Sequence, residues 1–236
     1  MKPSKFHSNK KLYNWLAYYY FDKLLEKYSK YYKGVLVDLG CGEAPYEKYF
    51  LQYVKKYIGV DWTKSLHNIK ADVVSDLNEK IEIEDEFADT IISISVMEHL
   101  HNPQKFLNES YRILKRGGYM ILQVPWQWWV HEAPYDYYRY TPYGLKYILE
   151  KNGFEVIEID STGGFFSTIF LKINYFSLRL IKGPKFLKDF IKLILIPFWS
   201  INQILAIVLD KFDRNKSLEA PGYFVLAKKN KNVFKN

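Results

Sequence analysis

The chain has 236 residues, a net charge of +8, 48% hydrophobic and 18% aromatic residues with 21 tyrosines, enough for one α/β domain with a decoration. The single cysteine, Cys41, excludes an internal disulfide and a cysteine-built metal cluster and fits a reducing cytoplasm. The basic balance favours an anionic partner such as a membrane surface, a phosphorylated carrier or nucleic acid, and Met1-Lys2-Pro3-Ser4-Lys5 does not read as a signal peptide.

Residues 10–32 carry Leu12, Trp15, Leu16, Tyr19, Leu24, Tyr28 and Tyr31 at roughly helical spacing, which predicts a helix lidding the sheet. The apolar run at 35–39 predicts a buried strand leading into an Asp38-Leu39-Gly40-Cys41-Gly42 turn. Glycines at Gly40 and Gly42 let the backbone turn tightly and let a ligand lie against it. A crossover helix is expected over 43–54, a second strand over 56–61 ending in Asp61, a third over 71–74 and a fourth over 88–95. Pro103 suits the first turn of a helix over 103–115, which Gly117-Gly118 should stop. The fifth strand is expected at 119–124, then a helix at 142–151 closed by Asn152-Gly153 as a left-handed cap. A sixth strand follows at 154–159 and a last one at 222–228. Between them, 165–210 is rich in Phe, Ile and Leu and far longer than a hairpin needs, so it reads as an insertion. The alternation predicts a doubly wound, mostly parallel sheet covered on both faces. It divides the chain into a helical cap at 1–32, a sheet domain at 33–163 and 218–230, and an insertion at 164–217.

A dinucleotide site would want a third glycine three residues after Gly42, where Pro45 stands. The ordered series is different: Val-Asp-Leu-Gly-Cys-Gly at 37–42, Gly-Val-Asp at 59–61, Ser-Asp-Leu at 75–77, Ser-Val-Met-Glu-His-Leu at 95–100, Asn-Pro at 102–103 and Tyr-Arg-Ile-Leu-Lys-Arg-Gly-Gly at 111–118. In this series the chain resembles class I S-adenosylmethionine-dependent methyltransferases, and more narrowly the methyltransferase type 11 group. Arg116 stands where that group usually has proline, and Ala88 separates Phe87 from Asp89 where it usually has Phe-Asp. The resemblance implies a Rossmann-like, seven-stranded sheet with an antiparallel last strand and S-adenosylmethionine as cofactor. It implies that Asp76 and Leu77 lie beside the adenine and Ser95 beneath the cofactor, with Cys41 and Trp62 in the same site.

The residues agree with that cofactor. Asp61 can accept hydrogen bonds from both ribose hydroxyls. Asp38 can hold the methionine part through its charge and the turn amides. Methyl displacement demands alignment of the acceptor and exclusion of water. If the acceptor is a hydroxyl, a general base helps. The loop after the fifth strand, 126–140, offers aromatic walls, His131 as leading base, and Asp136 and Arg139 to grip polar groups or to pair with each other. Some type 11 relatives carry a similar His-x-x-Pro-x-Asp-Tyr-x-Arg-x-Thr stretch, here 131–141; His99 is a second candidate base. No metal is expected, since His99 and His101, two apart, would diverge on a helix.

The apolar bulk and basic fringe of 165–210, with Lys172, Arg179, Lys182, Lys185, Lys188 and Lys192, suit docking on a membrane surface. A lid or dimer face explains the same pattern; a bilayer span is disfavoured by Lys192, Pro197, Asn202 and Gln203. The expected function is methyl transfer to a small-molecule, glycan or lipid-linked acceptor, in the cytoplasm or at the inner face of the membrane. The competing function is a catalytically silent binding or membrane-partner protein, against which the intact Asp38, Gly40, Gly42 and Asp61 argue. Nucleic acid is disfavoured, because Ser-Val-Met-Glu replaces the Asn/Asp-Pro-Pro-Tyr type motif after the fourth strand.

Overall fold

The computed structural model describes residues 1–62 and 69–230. Helix α1 (Trp15–Lys27) precedes β1 (Val35–Leu39), α2 (Glu47–Phe50), β2 (Lys56–Asp61), β3 (Val73–Val74) and β4 (Ala88–Ile94). Then come α3 (Pro103–Ile113), β5 (Leu114–Pro125), α4 (Pro142–Lys151), β6 (Phe154–Ser161), α5 (Phe165–Leu180), α6 (Lys185–Leu209) and β7 (Gly222–Lys229). The seven strands form one sheet in the order β3-β2-β1-β4-β5-β7-β6. Only β7 runs against its neighbours, pairing antiparallel with β5 and β6.

Alternate residues of each strand feed two cores. Val37, Ile91, Met120, Leu122 and Val225 pack with Phe106 and Leu107 of α3 and Leu145 and Leu149 of α4. On the other face, Leu36, Ile92, Ile121, Phe224 and Leu226 pack with Leu24 and Leu25 of α1 and with Tyr49 and Phe50. Burial on both faces explains why the central strands read as near-continuous apolar runs, while the edge strand β6 alternates with charged residues. The chain winds outward from β1 to β3 and then crosses to β4. This places a topological switch at the carboxyl ends of β1 and β4, where doubly wound sheets open a ligand crevice.

Four elements differ from the sequence expectation. The N-terminal helix begins at Trp15, because Asn14 holds the preceding turn, accepting from Lys11 N (2.7 Å) and donating to Asn9 O (3.0 Å). The first crossover helix shrinks to four residues, between Ala44 at φ 50° with Pro45 behind it and the tight turns at Gln52 and Tyr53. Gly117 and Gly118 do not stop α3. It ends at Ile113, and the glycines lie in β5, where the register jumps from Ala88↔Leu114 to Thr90↔Tyr119. That is a bulge, and Gly117 at φ 73° supplies its left-handed residue. Ser95 falls just past β4 at φ 55° rather than in the strand.

The insertion forms an antiparallel helical pair. Asp210, just past α6, accepts from Gly164 N (2.9 Å) and Phe166 N (3.0 Å) at the start of α5. These are amides the first helical turn leaves without partners. Leu16 of α1, Leu171 of α5 and Ala206 of α6 form a third, small cluster. A buried polar seam accompanies it. Gln203 accepts from Leu16 N (2.9 Å) and donates to Leu12 O (2.8 Å), and Asn174 links Tyr13 O (3.0 Å) to Asn202 (2.8 Å).

Candidate functional site

A cavity of about 500 Å³ lies at the carboxyl ends of β1, β2, β4 and β5. Asp38, Gly40, Cys41, Gly42, Asp61, Trp62, Asp76, Leu77 and Ser95 all line it. The glycine turn is required by its geometry. Gly40 has φ 84°, and a Cβ there would stand 2.3 Å from Val96. Gly42 has φ 53° with nothing within 4 Å of a built Cβ, so its outer face is open.

The turn amides are not available as expected. Gly40 N and Cys41 N donate to Val60 O (2.8 and 3.1 Å), and Gly42 N donates to Asp61 Oδ2 (2.7 Å). These bonds fasten the turn to β2 and, with Trp62 N on Asp61 Oδ1 (2.8 Å), fix the Asp61 carboxylate at the wall. The recognition chemistry therefore rests on side chains.

Asp38 is buried and accepts from Tyr57 Oη (2.6 Å). Burial raises its carboxyl to about 7, with the Tyr57 bond opposing and the Asp61 charge adding to the rise. Asp76 accepts from Asn78 N (2.9 Å) and Asn78 Nδ2 (3.0 Å), beside the buried Leu77. Ser95 is pinned by Gln123, with Oγ donating to Oε1 at 2.6 Å. The Cys41 thiol is pushed far up by burial and then by Asp38, which makes it a filler rather than a nucleophile.

The opposite wall is the loop after β5, which contributes Trp128, Trp129, His131, Glu132 and Tyr135. Trp128 and Trp129 stack at 4.0 Å, and Trp129 meets Tyr175 of α5 at 4.0 Å, so the insertion braces this wall. Residues before α1 and in its first turns, including His7, Tyr13, Tyr18 and Phe21, complete the lining.

The two expected catalytic residues occupy different places. His131 lines the cavity. Burial, and then the neighbouring His99, lower its pKa, which favours the neutral imidazole. Asp136 does not line the cavity. Its side chain is 2% exposed and grips Arg139 through two bonds of 2.6 and 2.7 Å. It also accepts from His131 N at 2.8 Å. Burial alone would raise this carboxyl, but the Arg139 bonds and the His131 amide bring it down to about 2. Asp136 and Arg139 thus staple the loop behind His131.

Sequence reading missed Glu98. The short turn Met97–His99 presents Glu98 and His99 side by side to the cavity. Glu98 is fully buried, among the described residues neither carboxyl oxygen has a hydrogen-bond partner beyond its own backbone N–H, and burial raises its pKa to about 8. The His99 ring lies 4.8 Å from that of His131, in edge contact. His101, the histidine weighed against His99 for spacing, instead sits beside Tyr137, outside the cavity lining. The pairing of His99 with His131 spans 32 positions and leaves no mark in local spacing.

A protein-family model described as a methyltransferase domain matches residues 13–159. A protein of Mycolicibacterium smegmatis named "Probable S-adenosylmethionine-dependent methyltransferase" is 24% identical over 136 residues, covering 55% of this chain and 51% of its own. The chain spans about half to three-fifths of the length of the curated relatives it matches. Among solved structures, the phosphoethanolamine N-methyltransferase 2 of Haemonchus contortus, in complex with S-adenosyl-L-methionine, superposes with a TM-score of 0.57 at 18% identity, over 94% of this chain and 56% of that one. The [4+2]-cyclase SpnF also gives 0.57, at 14% identity, over 88% of this chain and 80% of that one. At such identities the two structures establish the fold alone.

Proposed function

The chain belongs to the methyltransferase domain family, and from that premise we propose that it transfers a methyl group from S-adenosylmethionine to a small-molecule, glycan or lipid-linked acceptor. The observation that carries this reading is the convergence of Asp38, Asp61 and Asp76 with the Gly40–Gly42 turn on one cavity. The donor set fits the cofactor. Asp61 suits the ribose hydroxyls, Asp38 the ammonium, and Asp76 with Leu77 the adenine. A phosphate cradle, which this cofactor does not need, is missing from the turn because its amides are bonded internally.

When bound, S-adenosylmethionine supplies a methyl group already activated by a sulfonium. The chain's residues have three tasks: to orient the acceptor, to exclude water and to handle its proton. Trp128, Trp129, Tyr135 and the N-terminal Tyr13 and Tyr18 form a flat-walled enclosure suited to the first two. A hydroxyl acceptor must also lose its proton, and Glu98, His99, His131 and Glu132 stand at the acceptor wall with lone pairs to take it.

The hairpin favours an acceptor presented at an anionic membrane, at the inner face for a protein of the cytoplasm. Helix α6 is long and apolar enough to cross a bilayer, with a mean hydropathy of 1.8. Its inner face, however, carries the Asn202 and Gln203 seam to α1 and α5, which supports lying on the surface over spanning. Phe186, Phe190, Leu193, Ile194 and Phe198 are exposed, with Lys185, Lys188 and Lys192 at the same end. Each such lysine adds about 1 kcal/mol near an anionic surface.

Calorimetry tests the cofactor. The protein should bind S-adenosylhomocysteine, and Asp61→Ala should weaken binding at least about tenfold through loss of charged hydrogen bonds. No binding by the unaltered protein, or equal binding of NAD, would overturn the reading. Flotation with anionic vesicles tests the docking. Salt-sensitive binding, reduced by changing Lys185, Lys188 and Lys192 to Glu, is expected. A protein that stays off the vesicles and forms dimers through α6 would refute it.

A further inference from the structure

The ligand atoms of Glu98, His99 and His131 lie within 4.8 Å of one another at the cavity wall. We propose that these three side chains form a binding site for a divalent transition-metal ion, open toward the acceptor side of the cavity. Three independent features support it.

The first is the condition of Glu98. A fully buried carboxylate is normally hydrogen-bonded, ion-paired or metal-bound. Among the described residues neither Glu98 oxygen has a hydrogen-bond partner beyond its own backbone N–H, and His99 Nε2 stands 3.7 Å from Oε1. Glu98 is among the residues around the cavity, and its carboxyl group lies just behind the surface, beside the two imidazoles.

The second is the orientation of the imidazoles. His99 Nδ1 lies 2.9 Å from Tyr135 O, a carbonyl that can only accept, so the ring proton sits on Nδ1 and the lone pair on Nε2. His131 Nδ1 lies 3.3 Å from Trp129 O and 3.3 Å from Asp136 Oδ2, two acceptors that favour a proton on that nitrogen against the weaker 3.5 Å approach of Arg139 Nη2. A ligating histidine characteristically gives its other N–H to a carbonyl or carboxylate, which fixes the tautomer and the ring.

The third is rigidity. Glu98 O accepts from Tyr137 N (2.9 Å) and Tyr138 N (3.2 Å), which ties the Met97–His99 turn to the loop carrying His131. The Asp136–Arg139 pair then holds that loop from behind. Ligands from two distant segments are thus held as one unit. Glu132 Oε2 lies 3.9 Å from His99 Nε2, at the rim of the same cluster.

Two imidazoles with carboxylate suit Zn²⁺, Co²⁺, Fe²⁺ or Mn²⁺ over the all-oxygen preferences of Mg²⁺ and Ca²⁺. In a tetrahedral site, bonds of about 2.0–2.2 Å put ligand atoms about 3.3–3.6 Å apart, so loading draws the widest pair together by about 1 Å, a side-chain adjustment within the tied backbone. His131 then gives its lone pair to the ion, and an acceptor oxygen in the open position loses its proton more readily. The site does not depend on the identity of the acceptor.

Co²⁺ is the probe, because its visible absorption reports imidazole and carboxylate ligation. The full chain, stripped by a chelator and dialysed, should take up one Co²⁺ per chain with new visible bands, and Zn²⁺ should displace it. Glu98→Gln and His131→Gln should each weaken Co²⁺ binding at least about tenfold, with circular dichroism confirming the folded state. Absence of stoichiometric uptake by the wild type overturns the site and leaves Glu98 as a buried protonated acid. So does uptake unchanged in both folded variants. S-adenosylhomocysteine binding by the same wild-type sample keeps the two readings separate: cofactor without Co²⁺ refutes this site alone, and Co²⁺ without cofactor refutes the methyltransferase reading alone.

Discussion

In β7 every residue from Gly222 to Ala227 is buried, and Phe224 packs between Phe21 and Tyr28 beneath the sheet. In α6 the buried residues are Trp199, Asn202, Gln203 and Ala206, while Phe190, Leu193, Ile194, Phe198, Ile201, Ile204 and Leu205 face outward. The sheet hides its apolar residues within the chain. The hairpin's inner face mixes Asn174, Asn202 and Gln203 with Leu171, Trp199 and Ala206, and most of its large apolar side chains face outward. Burial of apolar surface stabilises by roughly 25 cal/mol per Å², so the hairpin's outer face gains this only from something outside the chain. A contiguous exposed apolar face of this kind marks an interaction surface.

The sharpest way to break the comparison is to delete one phenylalanine from each region. Phe224→Ala should cost about 3–5 kcal/mol in chemical denaturation, since it leaves a cavity in a packed core. Phe190→Ala, on the outer face, should change stability by no more than about 0.5 kcal/mol in dilute buffer. A large loss at Phe190 that depends on protein concentration would mean that α6 is covered by a second copy of the chain.

The central strands of the sheet were legible because both their faces are buried, and near-continuous apolar runs such as Val35–Leu39, broken by Asp38 alone, then announce themselves. So were the acids at the strand ends and the glycine turn, whose positions follow from chain order. The hairpin was legible as helices but not as an orientation. Asn202 and Gln203 looked like flaws in an apolar helix, and the structure makes them its contact with α1 and α5. Their partners, Leu12, Leu16 and Asn174, are remote in sequence. The same distance hid the meeting of His99 with His131. Asp136 was read as gripping the acceptor or pairing with Arg139, because a sequence shows that an acid and an arginine are present and not which way they turn; the structure shows the pair. Local backbone bonds also hid the fate of the turn amides, which depends on Val60 O in the neighbouring strand.

The buried seam offers a second, smaller test. Gln203→Leu keeps the side chain's size but leaves Leu16 N and Leu12 O without their partners. An unsatisfied buried donor costs about 1–3 kcal/mol. The loss should be local, with faster hydrogen exchange at the Leu16 amide and little change in the amides of β5 and β7. Uniform loosening of both regions would show that hairpin and sheet unfold as one unit.

The two regions also treat a buried acid differently. Asp210 in the hairpin accepts from the amides of Gly164 and Phe166 and from the Ser167 hydroxyl. Asp38 in the sheet has Tyr57 as its hydrogen-bond partner among the described residues, and burial holds its carboxyl up at about 7. The folded chain therefore keeps a proton on Asp38 that the unfolded chain loses near its ordinary value of 3.8. Between these two pKa values the native state binds more protons than the unfolded one. The group's contribution to stability is full below the lower value and falls as pH rises, by at most about 1.4 kcal/mol per pH unit, before levelling off above about 7. A ligand bearing an ammonium needs the ionised form. Affinity for S-adenosylhomocysteine should thus rise about tenfold from about pH 6 to about pH 8, with proton release seen as a buffer-dependent binding enthalpy. Asp38→Asn should bind more weakly at the higher pH and lose this dependence, because its side chain cannot ionise. An unchanged affinity across this range in the wild type, with no proton released, would show that Asp38 does not face the ammonium and that the sheet's buried acid, like the hairpin's, is structural.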